Sequence, residues 1–194
     1  MMRKLIRKIT ETVYLAYARL KSTEEIIDVR DYLSQILTLL IIAPERLEEN
    51  RAASRFIEEL REVFGETHFY LLEAHSATGN EAPAENLQVL TYGQAQIAFH
   101  GLPKKELRDT IRARHFDLVI DLNYDFSLVA TALCLASNAK MRVCLQHPKR
   151  DSLYNFQVRA ANHNDLEAKY DSLIKYLTVF KSLPDAPSRD LMPV

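Results

Sequence analysis

Glycine is scarce in this sequence, with four residues in 194, and tryptophan is absent. The segment 43–50, Ala-Pro-Glu-Arg-Leu-Glu-Glu-Asn, contains no glycine at all. Loops that bind dinucleotides or cradle phosphate need glycines so that backbone amides can approach the anion, and neither G-x-G-x-x-G nor a G-K-[ST] ending is present. Cysteine is limited to Cys134 and Cys144, each inside an apolar segment, which argues against a disulfide framework or a structural zinc site and for buried thiols in a reducing compartment. The 25 basic and 26 acidic residues cancel, so no field of one sign points to nucleic acid. The longest apolar run, Ile36 to Ala43, is far short of the about 20 residues needed to cross a bilayer. The N-terminus is basic, but Glu11, Arg19 and Lys21 interrupt what would be the apolar core of a signal peptide. A retained, cytoplasmic chain is expected.

What is present is alternation. From Met2 to about Lys21 the residues Leu5, Ile6, Ile9, Val13, Ala16, Tyr17 and Leu20 recur at helical spacing. A polar, acid-rich connection, 22–30, leads to an evenly apolar run, Gln35 to Ala43, as in a strand covered on both faces. Pro44 ends it, and Arg46 to Phe64 then carries a helical stripe with Gly65 at its C-terminus. Thr67 to Glu73 and Leu87 to Tyr92 read as strands around a loop, Ala74 to Glu85. Pro103 introduces a helix over Lys104 to Arg114. The strand Phe116 to Leu122 follows, then a helix from Phe126 to Ser137 with Asp125 as its cap and Asn138 at its end. Met141 to Leu145 is a fifth strand, His147-Pro148 breaks it, and Leu166 to Leu183 is a closing helix.

This pattern predicts an α/β fold. The expected form is one Rossmann-like three-layer domain with a five-stranded parallel sheet of order 3-2-1-4-5. Residues 1–30 supply the N-terminal amphipathic helix and its connection, 31–183 the domain, and 184–194, with three prolines, a tail expected to be disordered. The chain reverses direction between the first and fourth strands, and ligands bind beyond the carboxyl ends of strands at such a point. The crevice there would be lined by Glu45, Arg46 and Glu49 from the first loop and by Asn123, Tyr124 and Asp125 from the fourth. The glutamates would repel an anion, or simply complement the helix dipole. The six histidines show no ligand spacing, so neither a metal nor a cofactor is expected, although His75 and His147 follow strands and could face the crevice. There is no G-x-S-x-G elbow, and Cys134 reads as a core thiol.

The N-terminal helix admits three roles: packing on its own domain or on a second copy, docking into a protein partner, or lying on an anionic membrane. A protein partner or homo-oligomer through Leu5, Ile9, Val13 and Tyr17 is the expectation. The cations cluster at the start of the helix, and Glu11 weakens attraction to a membrane.

The block Phe116-Asp117-Leu118-Val119-Ile120-Asp121-Leu122-Asn123, with Asn138-Ala139-Lys140-Met141-Arg142-Val143 after the next helix, resembles the YDLVIDLQG and LAGAKRRVG block of glycosyltransferase family nine, the heptosyltransferases. Ile41 to Leu47 is similar to the family's first strand and its R-[LI]-G-D turn. Over about residues 35 to 150 the resemblance implies the N-terminal, acceptor-side half of a GT-B glycosyltransferase. It also implies a catalytic base at the position of the turn aspartate, which here is Glu49; Glu48, Asn123, Tyr124 and Cys144 replace other family residues. A nucleotide-sugar domain would follow Arg150, where no room for it is expected. The chain also resembles short bacterial proteins that keep this half-fold alone. The expectation is thus a non-catalytic binding or assembly module; the alternative is a glycosyltransferase-related enzyme working with a donor-binding domain on a separate polypeptide.

Overall fold

The computed structural model describes residues 2–21, 27–74, 86–159 and 165–182. The expected tail 184–194, most of the loop 74–85, and His75 lie outside the described residues. Twelve α-helices and β-strands follow in order: α1 (Met2–Lys21), α2 (Val29–Ser34), β1 (Thr38–Ile42), α3 (Leu47–Val63), β2 (His68–Ala74), β3 (Leu87–Tyr92), α4 (Lys105–Arg112), β4 (Leu118–Asp121), α5 (Leu128–Ala136), β5 (Met141–Leu145), β6 (Phe156–Val158) and α6 (Leu166–Ser182). The sheet is parallel throughout, in the order β3-β2-β1-β4-β5-β6.

The expected Rossmann-like architecture is present with β1 interior, because Leu39 to Ile42 and Leu118 to Ile120 are apolar on both faces. Leu39 and Ile41 enter one core with Phe56, Leu60 and Tyr170, which come from α3 and α6. Leu40 and Ile42 enter the opposite core with Leu107, Ile111 and Leu133, from α4 and α5. The layer assignment follows from the two-residue period of a strand. Asp117 fixes the start of β1, its carboxylate accepting from the amides of Leu37 at 3.0 Å and Thr38 at 2.9 Å. Ile120 is fully buried, so Ile120→Ala is expected to cost about 2–4 kcal/mol through lost burial and the cavity left behind, read as a shift in the urea midpoint. An unchanged midpoint would contradict the placement of β4.

Several sequence expectations are corrected. The sheet has six strands, not five: three residues, Phe156–Val158, pair with Val143–Leu145 at the edge, too few to show alternation. The apolar run from Gln35 is not all strand, because Gln35 caps α2, a six-residue helix whose N-cap Asp28 accepts from the amide of Arg30. Leu37 is exposed and β1 begins at Thr38. Gly65 is not a left-handed cap; Phe64 is the capping residue of α3. α4 begins at Lys105 with Lys104 as its N-cap, so Pro103 precedes the helix and does not lie in its first turn. Asp125 does not cap α5: the hydroxyl of Ser127 accepts from the amide of Ala130 at 3.1 Å. Asn138 does end α5, at φ 57° in the left-handed region that asparagine tolerates.

Candidate functional site

The loops that leave β1 and β4 meet at the carboxyl edge of the sheet, and Asn123 joins them. Its Oδ1 accepts from the Glu45 amide at 3.0 Å, while Nδ2 donates to the Ala43 carbonyl at 3.3 Å and to Asp121 Oδ1 at 2.8 Å. Asn123 is itself buried, so these bonds are made away from water and fix the spacing of the two loops. Glu49, on the first turn of α3, reaches across the crevice: its Oε2 accepts from the Tyr124 amide at 3.3 Å, and its side chain is buried. Arg46 spans the rim between Glu49, at 3.8 Å, and Asp125, at 2.9 Å. Ser127 donates its hydroxyl to Glu45 Oε1. These contacts bring Glu45, Arg46, Glu49, Asn123, Tyr124 and Asp125 together at the carboxyl edge of the sheet.

The sequence reading missed the floor beneath them. Asp121, the last residue of β4, is fully buried and accepts from the Tyr154 hydroxyl at 2.7 Å and the Asn123 amide at 3.0 Å. Arg150, also fully buried, places Nη2 3.5 Å from Asp121. The same guanidinium donates to the carbonyls of Leu145 at 3.0 Å, Asn123 at 2.8 Å and Asp125 at 2.9 Å. Burial, reinforced by the negative charge of Asp121, holds the Tyr154 hydroxyl well above its usual range, so it stays a donor. From α6, Lys169 is buried with Nζ 3.7 Å from the centre of the Tyr124 ring, and the Tyr170 hydroxyl donates to the Leu122 carbonyl. The one signal for this floor was a carboxylate at Asp121 ending an otherwise apolar strand, since a buried charge needs a partner.

His147 sits at the edge, its ring stacked on Phe126 and its Nδ1 accepting from the Lys149 amide at 3.2 Å. Partial burial, with Arg150 and Lys149 nearby, lowers its pKa. Among the described residues no group of three or more His, Cys, Asp or Glu side chains could hold a metal ion. Among the described residues the charged groups gathered here are four carboxylates (Glu45, Glu49, Asp121, Asp125) and three cations (Arg46, Arg150, Lys169), and the two buried cations are already committed, to backbone carbonyls and to an aromatic face. An arrangement of this kind ties the loops together.

Comparison with known proteins bears on the fold. The chain is similar in structure to the E. coli heptosyltransferase WaaC with ADP, at a TM-score of 0.58 and 12% identity over 77% of this chain and 49% of that one. It is similar also to a glycosyl transferase family 9 protein from Veillonella parvula, at a TM-score of 0.57 and 14% identity over 79% of this chain and 43% of that one. The chain thus spans less than half the length of the structures it matches, and at this identity the likeness establishes a shared fold. No curated protein sequence matches it. The model of the family described as "Family of unknown function (DUF6913)" matches residues 14–180, and the chain belongs to that family.

Proposed function

We propose that this chain is a binding or assembly module built on the acceptor-side half of a GT-B glycosyltransferase fold, and that it transfers no sugar itself. The observation that carries the reading is the state of Glu49. This carboxylate stands where the resemblance places a catalytic base, yet it is 5% exposed and engaged by the Tyr124 amide. A general base must reach the proton it abstracts within hydrogen-bond distance, directly or through one water. Glu49 is instead turned into the protein's own loop contact.

The crevice also lacks what a nucleotide donor requires. Stabilising the charge that develops on a leaving diphosphate calls for preorganised donors or cations, and that electrostatic contribution is usually the largest in such catalysis. Here carboxylates outnumber cations, and the first loop has no glycine to let amides approach phosphate. Calorimetry with ADP, UDP and NAD is expected to show no binding tighter than about millimolar, or roughly −4 kcal/mol. Micromolar binding abolished by Arg46→Ala would overturn the proposal and favour an enzyme that works with a donor-binding domain on another polypeptide.

A further inference from the structure

We infer that α1 is a membrane-surface helix, which seats the protein on an anionic lipid bilayer through an outward apolar stripe and the cations around it. The inference goes beyond the reading of the crevice and stands independently of it. α1 docks on its own domain with Leu15, which is buried, and Ala18, which is half-buried, while half-buried Tyr14 lines the cleft beside α4 and α5. The stripe that the sequence shows most clearly points the other way: Leu5, Ile9, Val13 and Tyr17 are 53–62% exposed, with Met2 and Leu20 more so. Among the described residues, six of the twelve large apolar side chains left exposed are on this one helix. Packing of the stripe on its own domain is therefore not what covers it.

Charge selects the occupant. α1 carries six cations, Arg3, Lys4, Arg7, Lys8, Arg19 and Lys21, and a single acid, Glu11. Glu11 turns away from the stripe to pair with Lys149 at 2.5 Å, so the one residue that argued against an anionic surface is neutralised within the domain. Beside α1, a cleft of about 630 Å³ between α1, α4 and α5 adds Arg108, Arg112 and Lys140; Arg142 lines it too, but donates to the carbonyls of Leu153 at 2.8 Å and Ala139 at 2.9 Å. Among the described residues only Arg112 of these four meets a carboxylate, Asp109 at 2.9 Å, and Arg108 Nε is buried with no hydrogen-bond partner. Because the whole chain has a net charge of only −1, this concentration of cations is a segregated patch.

A second copy fits poorly. Two such helices laid stripe to stripe would oppose cations with cations at their ends, with Glu11 already paired inside each domain. An anionic bilayer accepts both halves of the surface: the stripe enters the boundary between headgroups and acyl chains, and flanking Lys and Arg extend their stems to reach lipid phosphates. Tyr17, with the Lys21 ammonium 5.2 Å from its ring centre, has the amphipathic character suited to that depth. No helix of the described residues is long and apolar enough to cross a membrane, so α1 would lie along the surface.

Flotation of the full chain with phosphatidylcholine vesicles and with equimolar phosphatidylcholine–phosphatidylglycerol vesicles tests this. Binding to the anionic vesicles is expected, with at least about tenfold less on the neutral ones and loss at about 0.5 M salt, where screening is strong. Ile9→Glu combined with Val13→Glu alters only exposed positions, so the far-UV circular dichroism should be unchanged while binding falls at least about tenfold. Arg108→Glu with Lys140→Glu should weaken anionic binding without touching the stripe. Absence of flotation, or stripe and cleft variants that float like the parent, would overturn the inference. So would a dimer, seen by light scattering, that the stripe variant dissociates, since a second copy would then cover the helix.

Discussion

Arg150→Ala is expected to destabilise the protein by about 3–5 kcal/mol, the range for removing one partner of a buried ion pair. Arg150 and Asp121 are both 0% exposed, and their charges lie 3.5 Å apart. Without the guanidinium, Asp121 keeps its hydrogen bonds from Tyr154 and Asn123 but loses its countercharge, and the carbonyls of Leu145, Asn123 and Asp125 lose a common donor. Those carbonyls lie at the end of β5 and in the loop after β4, so the damage falls on the joint that shapes the crevice. Urea unfolding followed by far-UV circular dichroism is the suitable measurement, because the chain has no tryptophan. Arg150→Met with Asp121→Asn removes both charges at once and should be less destabilised than the sum of the single changes by more than about 1 kcal/mol, as contacting partners in one network are. A cost below about 1 kcal/mol for Arg150→Ala would show that water reaches Asp121 and that the network is not the anchor described here.

Where the sequence was legible, one physical constraint dominated. β1 and β4 are covered on both faces, so Leu39 to Ile42 and Leu118 to Ile120 are apolar without interruption, and their central place in the sheet could be read from that alone. The crevice followed from topology, since loops after the strands flanking a switch point must converge. What failed was short or conditional. β6 and α2 are too brief to display a period, and both are held by tertiary contacts: β6 by pairing with β5, and α2 by Tyr32, whose hydroxyl donates to the Asp117 carbonyl at 2.9 Å. Asp125 is a good cap by residue type, but Arg46 takes that carboxylate and Ser127, two residues on, caps α5. For α1, periodicity identified an apolar stripe correctly and left open what it faces, because the period of a helix records amphipathicity and not its neighbour. The buried partner of Asp121 had no local signal, since Arg150 arrives from a short turn beyond β5.

Native Cys134 and Cys144 should react with an aromatic disulfide reagent at pH 8 at least about 10³-fold more slowly than in denaturant. Two effects combine. Both thiols are 0% exposed, Cys134 on α5 and Cys144 on β5. Burial, with the negative charge of Asp121 adding to it, pushes the Cys134 thiol up to about 12, and burial raises Cys144 as well. The thiolate is the reactive species, so ionisation alone would slow Cys134 by roughly 10³-fold relative to an ordinary thiol near 8.5. Reaction must then pass through an opened state, and for a domain stable by about 5–15 kcal/mol that state is a small fraction of molecules. Because both cysteines share the core layer that also holds Tyr154, the hydroxyl partner of Asp121, the Arg150→Ala change should accelerate both together. A loss of about 3–5 kcal/mol corresponds to roughly 10²- to 10⁴-fold in opening, at 1.4 kcal/mol per factor of ten. Rapid labelling of one cysteine in the parent protein would place that thiol outside the core, and equal rates in parent and variant would uncouple the Arg150 network from the opening that exposes this layer.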